Sequence, residues 1–214
     1  MNVNEIFATI EGETTLTGMP MLFIRFTGCP LRCSFCDTTY AYEEGTTYDV
    51  QELVDIAADH GLDTVHLTGG EPLIQSDLPD LVERLLAAGH RVVIETGGSQ
   101  DIGPYVQPGV HIMLDIKTPG SLMQGHNLVS NYTKMRSGID EFKFVVCDRD
   151  DFEWTLKTIQ EQHLDQTGCT INLSPVFPAL QPRTLAAWIL EQRLPLRLNC
   201  QMHKFIWPEK TRGV

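Results

Sequence analysis

Short apolar runs recur along the chain and alternate with longer segments in which apolar residues follow helical spacing. The runs are rich in Val, Ile, Leu and Phe and are mostly continuous, a pattern typical of parallel strands buried on both faces. We therefore predict a mostly parallel sheet. The predicted strands are 21–28, 64–70, 91–98, 111–117, 141–148, 169–175 and 196–201.

Four segments between these strands predict helices, because their apolar residues recur at helical spacing. Gly61 and Gly89 provide stop signals, Ser76 is a candidate N-cap, and acidic residues in the first turn of the third segment complement the helix dipole. The alternation favours right-handed βαβ crossovers and hence an α/β fold with a mostly parallel sheet or partial barrel. The predicted helices are 46–61, 76–90, 149–163 and 182–193.

Several predicted strands end in polar or glycine-rich residues. The carboxyl ends of parallel strands gather on one face, and the active sites of barrels lie there. We therefore expect these tips and the loop that follows the first predicted strand to converge on one mouth. The tips are Gly28-Cys29, 68–71, 95–98, 115–117 and Ser174-Pro175.

Composition narrows the classes of protein. The 214 residues suffice for one domain with a substantial core. Neither a run of about 18 apolar residues nor a secretory signal is visible, so a cytoplasmic protein without a membrane span is expected. The net charge of −12 disfavours nucleic-acid binding. An anionic substrate would need a local basic pocket, for which the candidates are Arg25, Lys117, Lys143, His203 and Lys204.

Half of the six cysteines lie in the segment TGCPLRCSFCDT, residues 27–38. In a cytosolic chain, clustered cysteines indicate a metal site and not a disulfide framework. The thiolates of Cys29, Cys33 and Cys36 can hold a [4Fe–4S] cluster and leave one iron open to another ligand. The alternative is a zinc site completed by a His or by a distant cysteine. The distant cysteines lie in strand-like runs and are expected to be small buried side chains: Cys147, Cys169 and Cys200.

The cysteine run follows the first predicted strand, and Thr-Gly-Gly-Glu-Pro (68–72) follows the second. Glycines at such a tip let the backbone approach a ligand closely. Together the two motifs resemble the radical S-adenosylmethionine (SAM) enzymes. The resemblance implies one domain over residues 1–214 with the partial (β/α) barrel of the radical SAM type. It also implies a [4Fe–4S] cluster whose open iron binds SAM, and one-electron cleavage of SAM to a radical that abstracts a substrate hydrogen.

Within that superfamily, the segment NEIFATIEGETTLTGMPMLFIRFTGCPLRC resembles the start of the 7-carboxy-7-deazaguanine synthase family, and QMHKFIWPEKTRGV resembles its tail. The resemblance implies a lyase that converts 6-carboxy-5,6,7,8-tetrahydropterin to 7-carboxy-7-deazaguanine. The implied reaction is a Mg²⁺-assisted radical ring contraction with loss of ammonia, in queuosine biosynthesis. It further implies a cytoplasmic homodimer that receives electrons from a donor such as flavodoxin or ferredoxin.

The same resemblance assigns roles to individual residues. Thr38, which completes Cys-Asp-Thr, matches the magnesium ligand. The implied SAM contacts are Phe35, Cys36, Asp37, Gly70, Glu95, Asp115, Ile116, Lys117, Ser174, Pro175, Val176 and Phe177. The implied substrate contacts are Ile10, Glu11, Gly12, Arg25, Thr68 and Pro208, with the 211–213 segment as an alternative to Pro208.

Arg25 and the segment around Gly12 carry additional information. Arg25 interrupts an apolar run, and its guanidinium fork suits a substrate carboxylate. Glu11 and Thr14 depart from the family pattern, which commonly has Gln and a second Gly around Gly12 and Glu13.

Two other functions stay open at this point. A glycyl-radical enzyme activating protein is also a small radical SAM enzyme with C-x3-C-x2-C spacing, but its substrate is the backbone of a partner protein. A zinc-binding interaction module would use the cysteines without any reaction.

Overall fold

Nine strands of the described residues form one sheet in a computed structural model that describes residues 1–209 and 212–214. Their order is β3-β1-β2-β4-β5-β6-β7-β8-β9, with β1 antiparallel to its two neighbours and β2 and β4–β9 parallel. The strands are β1 Asn2–Ile10, β2 Pro20–Phe26, β3 Thr46–Thr47, β4 Thr64–Gly69, β5 Arg91–Thr96, β6 Val110–Ile116, β7 Glu141–Val146, β8 Thr170–Pro175 and β9 Leu196–Leu198.

Five α-helices lie among the described residues: α1 Val50–His60, α2 Leu78–Ala87, α3 Arg149–Glu161, α4 Pro182–Leu190 and α5 His203–Ile206. All seven predicted strands and all four predicted helices are therefore present. Strand β1 was missed because Asn4, Glu5 and Thr9 interrupt its apolar residues. None of the helices in residues 1–209 and 212–214 is both long and apolar enough to cross a membrane.

The starts of two helices differ from the prediction for local reasons. Helix α1 begins only at Val50, because Asp49 and Glu52 form a capping box with hydrogen bonds of 2.8 and 2.7 Å between each carboxylate and the other backbone N–H. Ser76 does not cap α2, since its hydroxyl donates to the neighbouring Asp77. The predicted stop at Gly61 is confirmed by its left-handed backbone conformation.

The expectation that the strands are apolar on both faces is wrong for one face. In β7, Phe142 and Phe144 are fully buried in the apolar core beside the helices, whereas Glu141 and Lys143 point to the opposite side. That inner face carries buried polar side chains along the other strands as well, because it encloses a polar cavity. Its polar members include Arg25, His66, Thr68, Glu95, Asp115, Lys143, Asn172 and Asn199.

The segment that follows β1 crosses the inner face and curls the sheet into a partial barrel. Gln201, which follows β9, donates to Glu13 at 2.9 Å. Thr15 donates through its hydroxyl to Glu141 of β7 at 2.5 Å. Residues from opposite edges of the sheet therefore meet beneath the cavity.

Removal of a core side chain should test this packing. Leu67 lies in the middle of β4 and is fully buried. We expect Leu67→Ala to lower the free energy of unfolding by about 2–5 kcal/mol, because it leaves a cavity in the core. Leu190→Ala is the control, since Leu190 is 84% exposed, and a change within about 0.5 kcal/mol is expected. Anaerobic urea denaturation measures both, and equal losses would contradict the assigned core.

Candidate functional site

A cavity of about 410 Å³ lies at the carboxyl ends of the parallel strands. The cysteine loop, the segment after β1, the segment around α5 and four of the five predicted strand tips line it, which confirms the predicted convergence for those tips but not for Ser174-Pro175. It also contains all five of the isolated basic residues: Arg25, Lys117, Lys143, His203 and Lys204. Most of the predicted site residues line it too: Ile10, Glu11, Gly12, Arg25, Cys29, Cys33, Phe35, Cys36, Asp37, Thr38, Thr68, Gly70, Glu95, Asp115, Lys117, Val176, Phe177 and Pro208.

Three predicted SAM residues are not among those that line the cavity. Ile116 lies in the apolar core, because strand alternation turns its side chain away from the face that Asp115 presents. Ser174 is buried and accepts a hydrogen bond from Asn199 at 3.0 Å. Pro175 lines a separate, smaller cavity.

The cysteine loop presents three free thiols to the cavity. Cys29, Cys33 and Cys36 are all partly buried. Ser34 anchors the loop to the segment after β6, because its hydroxyl donates to the carbonyl of Gly120 at 2.6 Å. Burial raises the pKa values of Cys29 and Cys33, and the nearby ammonium of Lys117 opposes that rise. Three thiols that face one open space match the ligand set of an iron–sulfur cluster that keeps one iron open.

Outside the cysteine loop, the described residues offer no comparable metal site. Within residues 1–209 and 212–214, no group of three or more His, Cys, Asp or Glu side chains is placed to hold a single metal ion. Cys147, Cys169 and Cys200 lie away from the cavity lining. Cys169 is buried as expected, whereas Cys147 and Cys200 are only partly buried.

The two glycines of Thr-Gly-Gly-Glu-Pro bring this tip against the backbone that leads into the cysteine loop. Gly70 donates to the carbonyl of Phe26 at 3.0 Å, and Glu71 donates through its backbone to that of Gly28 at 2.8 Å. A Cβ on Gly70 would lie 2.2 Å from the Gly28 oxygen, and one on Gly69 would lie 2.3 Å from the Phe26 oxygen. The glycines are thus required by protein packing, in addition to the predicted approach to a ligand.

Buried charges form the deep wall of the cavity. The Lys143 ammonium contacts the carboxylates of Glu13 and Glu95, the latter at 3.0 Å. His66 contacts Glu11 through Nδ1 at 2.6 Å. Burial alone would raise the pKa of Glu95 and lower that of Lys143, but the Lys143 ammonium lowers the Glu95 pKa, and the Glu13 and Glu95 carboxylates raise the Lys143 pKa.

Glu13 and His66 were missed by the sequence reasoning. For His66 the sequence did carry a signal. His66 interrupts an apolar run in β4 two residues before Thr68, and residues two apart in a strand share one face.

Arg25 is oriented by a neighbour in β1. Its Nε donates to Glu5 at 2.8 Å, and the Tyr40 hydroxyl donates to the same carboxylate oxygen at 3.1 Å. Burial raises the pKa of Tyr40 to about 12. Gly213 donates through its backbone to the other Glu5 oxygen at 3.2 Å, so the chain end reaches this side of the cavity.

The segment around α5 covers the mouth. Lys204 donates to Asp37 at 2.8 Å, and the Thr38 hydroxyl donates to the other oxygen of Asp37 at 2.9 Å. Burial would raise the pKa of Asp37, but Lys204 lowers it well below its usual range. A Cβ on Gly12 would lie 2.3 Å from His203 Nδ1, so the glycine allows the segment around α5 to pack closely against the segment after β1.

The structure describes part of the 211–213 segment, which is the alternative to Pro208 as a substrate contact. Pro208 and Val214 line the cavity, and Arg212 donates to Glu44 at 3.0 Å. Thr211 lies outside the described residues.

Comparisons with known proteins agree with this geometry. The model of the Radical SAM superfamily matches residues 23–161. The 7-carboxy-7-deazaguanine synthase of Chlorobaculum tepidum is 40% identical, with all of this chain and 97% of that protein aligned. That of Koribacter versatilis is 36% identical, with both chains aligned over their whole lengths. The crystal structure of QueE from Escherichia coli superposes with a TM-score of 0.76 at 26% identity, over 94% of each chain.

Substitution of Gly70 should test the packing of the motif. We expect Gly70→Ala to displace the cysteine loop, because the new Cβ meets the Gly28 backbone. Iron bound per chain after reconstitution should fall to about half or less, and stability should fall by about 1–3 kcal/mol. Gly125→Ala is the matched control, since nothing lies within 4 Å of its added Cβ. Normal iron content in the Gly70→Ala protein would contradict this role.

Proposed function

The chain belongs to the 7-carboxy-7-deazaguanine synthase family of the radical SAM superfamily, and we propose on that basis that it converts 6-carboxy-5,6,7,8-tetrahydropterin to 7-carboxy-7-deazaguanine. The reaction is a radical ring contraction with loss of ammonia, in queuosine biosynthesis. The observation that carries the proposal is one cavity shared by three free thiols, the Thr-Gly-Gly-Glu-Pro tip and a deep polar wall.

The cysteine loop and the strand tips would hold the cofactors. Cys29, Cys33 and Cys36 would bind the [4Fe–4S] cluster. When bound, the cluster and SAM supply the one-electron chemistry that removes a hydrogen atom from the substrate. The SAM contacts that best fit the cavity are Phe35, Asp37, Gly70, Glu95, Asp115, Lys117, Val176 and Phe177.

Lys117 and Asp115 form a buried ion pair at this end of the cavity. The Lys117 ammonium lies 2.8 Å from the Asp115 carboxylate. Burial would lower the pKa of Lys117, but Asp115 raises it, so the lysine stays charged beside the thiols. A fixed positive charge at this position favours the thiolate forms that bind a cluster.

The opposite side of the cavity would orient the substrate. Arg25, held by Glu5, would pair with the substrate carboxylate, while Glu11 and Thr68 would contact the ring. The segment around α5 excludes water from the mouth, and Pro208 would close over the substrate. The protein thus supplies placement and enclosure for the cofactor's reaction.

Thr38 is the proposed magnesium ligand. Its hydroxyl lines the cavity beside Asp37, so hard oxygen atoms are available at this point. A magnesium ion held there would meet the substrate carboxylate and fix its orientation.

The wider setting is also proposed. Residues 1–214 act as one radical SAM domain in a cytoplasmic homodimer, and a donor such as flavodoxin or ferredoxin supplies the electron. The 40% and 36% identity to 7-carboxy-7-deazaguanine synthases over the whole chain favours this function over the activation of a glycyl-radical enzyme, whose substrate is a protein backbone. Membership of a radical SAM family also argues against the alternative function as a zinc-binding interaction module.

An anaerobic turnover assay tests the reaction. Purified protein with a reconstituted cluster, SAM, a chemical reductant and the pterin should release 7-carboxy-7-deazaguanine, identified by mass spectrometry. Cys33→Ala should abolish product, because a cluster ligand is lost, whereas Cys147→Ala should retain it, since Cys147 lies away from the cavity lining. Intact cluster and SAM cleavage without any deazapurine would refute the assigned substrate.

The magnesium role has its own test. At limiting Mg²⁺, we expect Thr38→Ala to keep its cluster and its SAM cleavage but to form deazapurine about 10-fold more slowly, or slower still. Thr39→Ala serves as the control, because this neighbouring threonine is exposed and does not line the cavity. If Thr38→Ala forms product at the normal rate and with the normal Mg²⁺ dependence, Thr38 is only a turn residue.

A further inference from the structure

His66 is the one buried histidine of the deep wall, and three contacts define its place. It lies in the middle of β4 with 1% of its surface exposed. Its ring stacks on Phe23 of β2, with the ring centroids 4.4 Å apart and the planes 29° from parallel. Its Nδ1 lies 2.6 Å from Glu11 Oε2. The stacking fixes the plane of the imidazole and the short contact fixes its rotation, so the ring is held rigidly.

The same contact fixes Glu11. One Glu11 oxygen meets His66, and the other accepts from the backbone N–H of Glu13 at 2.9 Å. Each carboxylate oxygen can accept two hydrogen bonds, so both keep acceptor capacity toward the cavity that Glu11 lines. Glu11 is therefore an immobilised acceptor.

The second nitrogen of His66 points to a ligand. Nε2 is buried and has no hydrogen-bond partner among residues 1–209 and 212–214. The nearest carboxylate oxygen, Glu95 Oε2, is 3.8 Å away, beyond hydrogen-bond distance. Buried polar atoms are normally paired, so this gap at the cavity wall is a place for a group of the bound substrate.

The chemistry of the wall indicates what that group is. Because Nδ1 faces the Glu11 carboxylate and donates to it, the second ring nitrogen, Nε2, is the one that can accept a hydrogen bond from a ligand. Glu11 and Glu95 add carboxylate oxygens on either side. The acceptors at His66 Nε2 and on the Glu11 carboxylate match an edge that carries N–H donors and disfavour one that carries a carbonyl oxygen.

Strand register places His66 deeper than the proposed carboxylate contact. Arg25 pairs with Thr68, whereas Phe23 pairs with His66, two residues further from the carboxyl ends of the strands. A substrate whose carboxylate meets Arg25 near the mouth thus directs its opposite, amino-bearing end toward His66.

We propose that His66 is a positioning and specificity-determining residue, which fixes Glu11 through Nδ1 and accepts the amino-bearing edge of the pterin through Nε2. This inference rests on the proposed function. It adds to that function the reason why the 2-amino group of the substrate is selected.

Binding to the cluster-loaded, SAM-bound enzyme without reductant tests the inference independently of turnover. Anaerobic calorimetry would compare 6-carboxytetrahydropterin with the analogue in which oxygen replaces the 2-amino group. His66→Leu should weaken pterin binding about 10- to 100-fold, because the Nε2 acceptor and the fixed orientation of the Glu11 carboxylate are both lost. SAM affinity should stay within about twofold, and the preference for the 2-amino compound should largely disappear.

Two further variants separate positioning from general damage. His66→Asn keeps an N–H near the Nδ1 position but has no Nε2, so its pterin affinity should lie between the wild type and His66→Leu, without the 2-amino preference. If His66→Leu fails to bind its cluster, His66→Asn replaces it in the binding comparison. His90→Leu is the control, because His90 is partly buried and contacts the Leu62 carbonyl through Nδ1 but lies away from the cavity lining.

The outcomes distinguish the inference from the function beneath it. A wild type that binds the pterin and forms product, with His66 variants of unchanged affinity and preference, would overturn the inference alone. Equal losses of SAM and pterin affinity would also overturn it, since they indicate a structural role only. A wild type that binds neither compound would overturn the proposed function, and the inference with it.

Discussion

The buried ammonium of Lys143 holds together three parts of the chain that are distant in sequence. It contacts Glu13 from the segment after β1 and Glu95 from β5, while it belongs to β7 itself. A buried charge is tolerated only when it is paired, so the segment after β1 must enter the barrel for the inner face to be satisfied. The floor of the cavity, and the contacts that Glu11 and His66 make there, follow from this requirement.

A second constraint acts at the mouth, where backbone packs against backbone. The tip of β4 approaches the residues that lead into the cysteine loop so closely that Gly69 and Gly70 cannot carry side chains. The same tip continues into Glu71, whose carboxylate accepts from Thr96 at 2.7 Å and from the backbone of Gly97 at 2.9 Å. The cysteine loop, β4 and β5 are thereby held as one unit, and preorganisation of this kind is what radical chemistry demands of a protein.

The two constraints explain a division of labour within the cavity. The side that we propose for the cofactors has free thiols and the Lys117–Asp115 pair, whereas the side that we propose for the substrate has oriented carboxylates and the Glu5-bound Arg25. The polar groups of the substrate side are fixed before any ligand arrives, which lowers the entropic cost of binding. Although the chain has a net charge of −12, four of its 16 Lys and Arg residues line this cavity and give it local positive charge toward an anionic ligand.

Strands β2 and β4–β9, helices α1–α4 and the cavity at the strand tips were predicted from the sequence, while the cysteine ligand set stays a prediction. Apolar runs, caps and motif spacing are local properties, and parallel strands bring their carboxyl ends together without further information. Strand β1 and the polar inner face were not recognised, although the alternation in β7 and β8 carried the signal. The pairing of Glu11 with His66, the packing role of Gly70 and the descent of residues 11–19 into the barrel were decided only by tertiary structure. Each joins residues that are tens of positions apart, and such contacts depend on curvature and register, which no local pattern specifies.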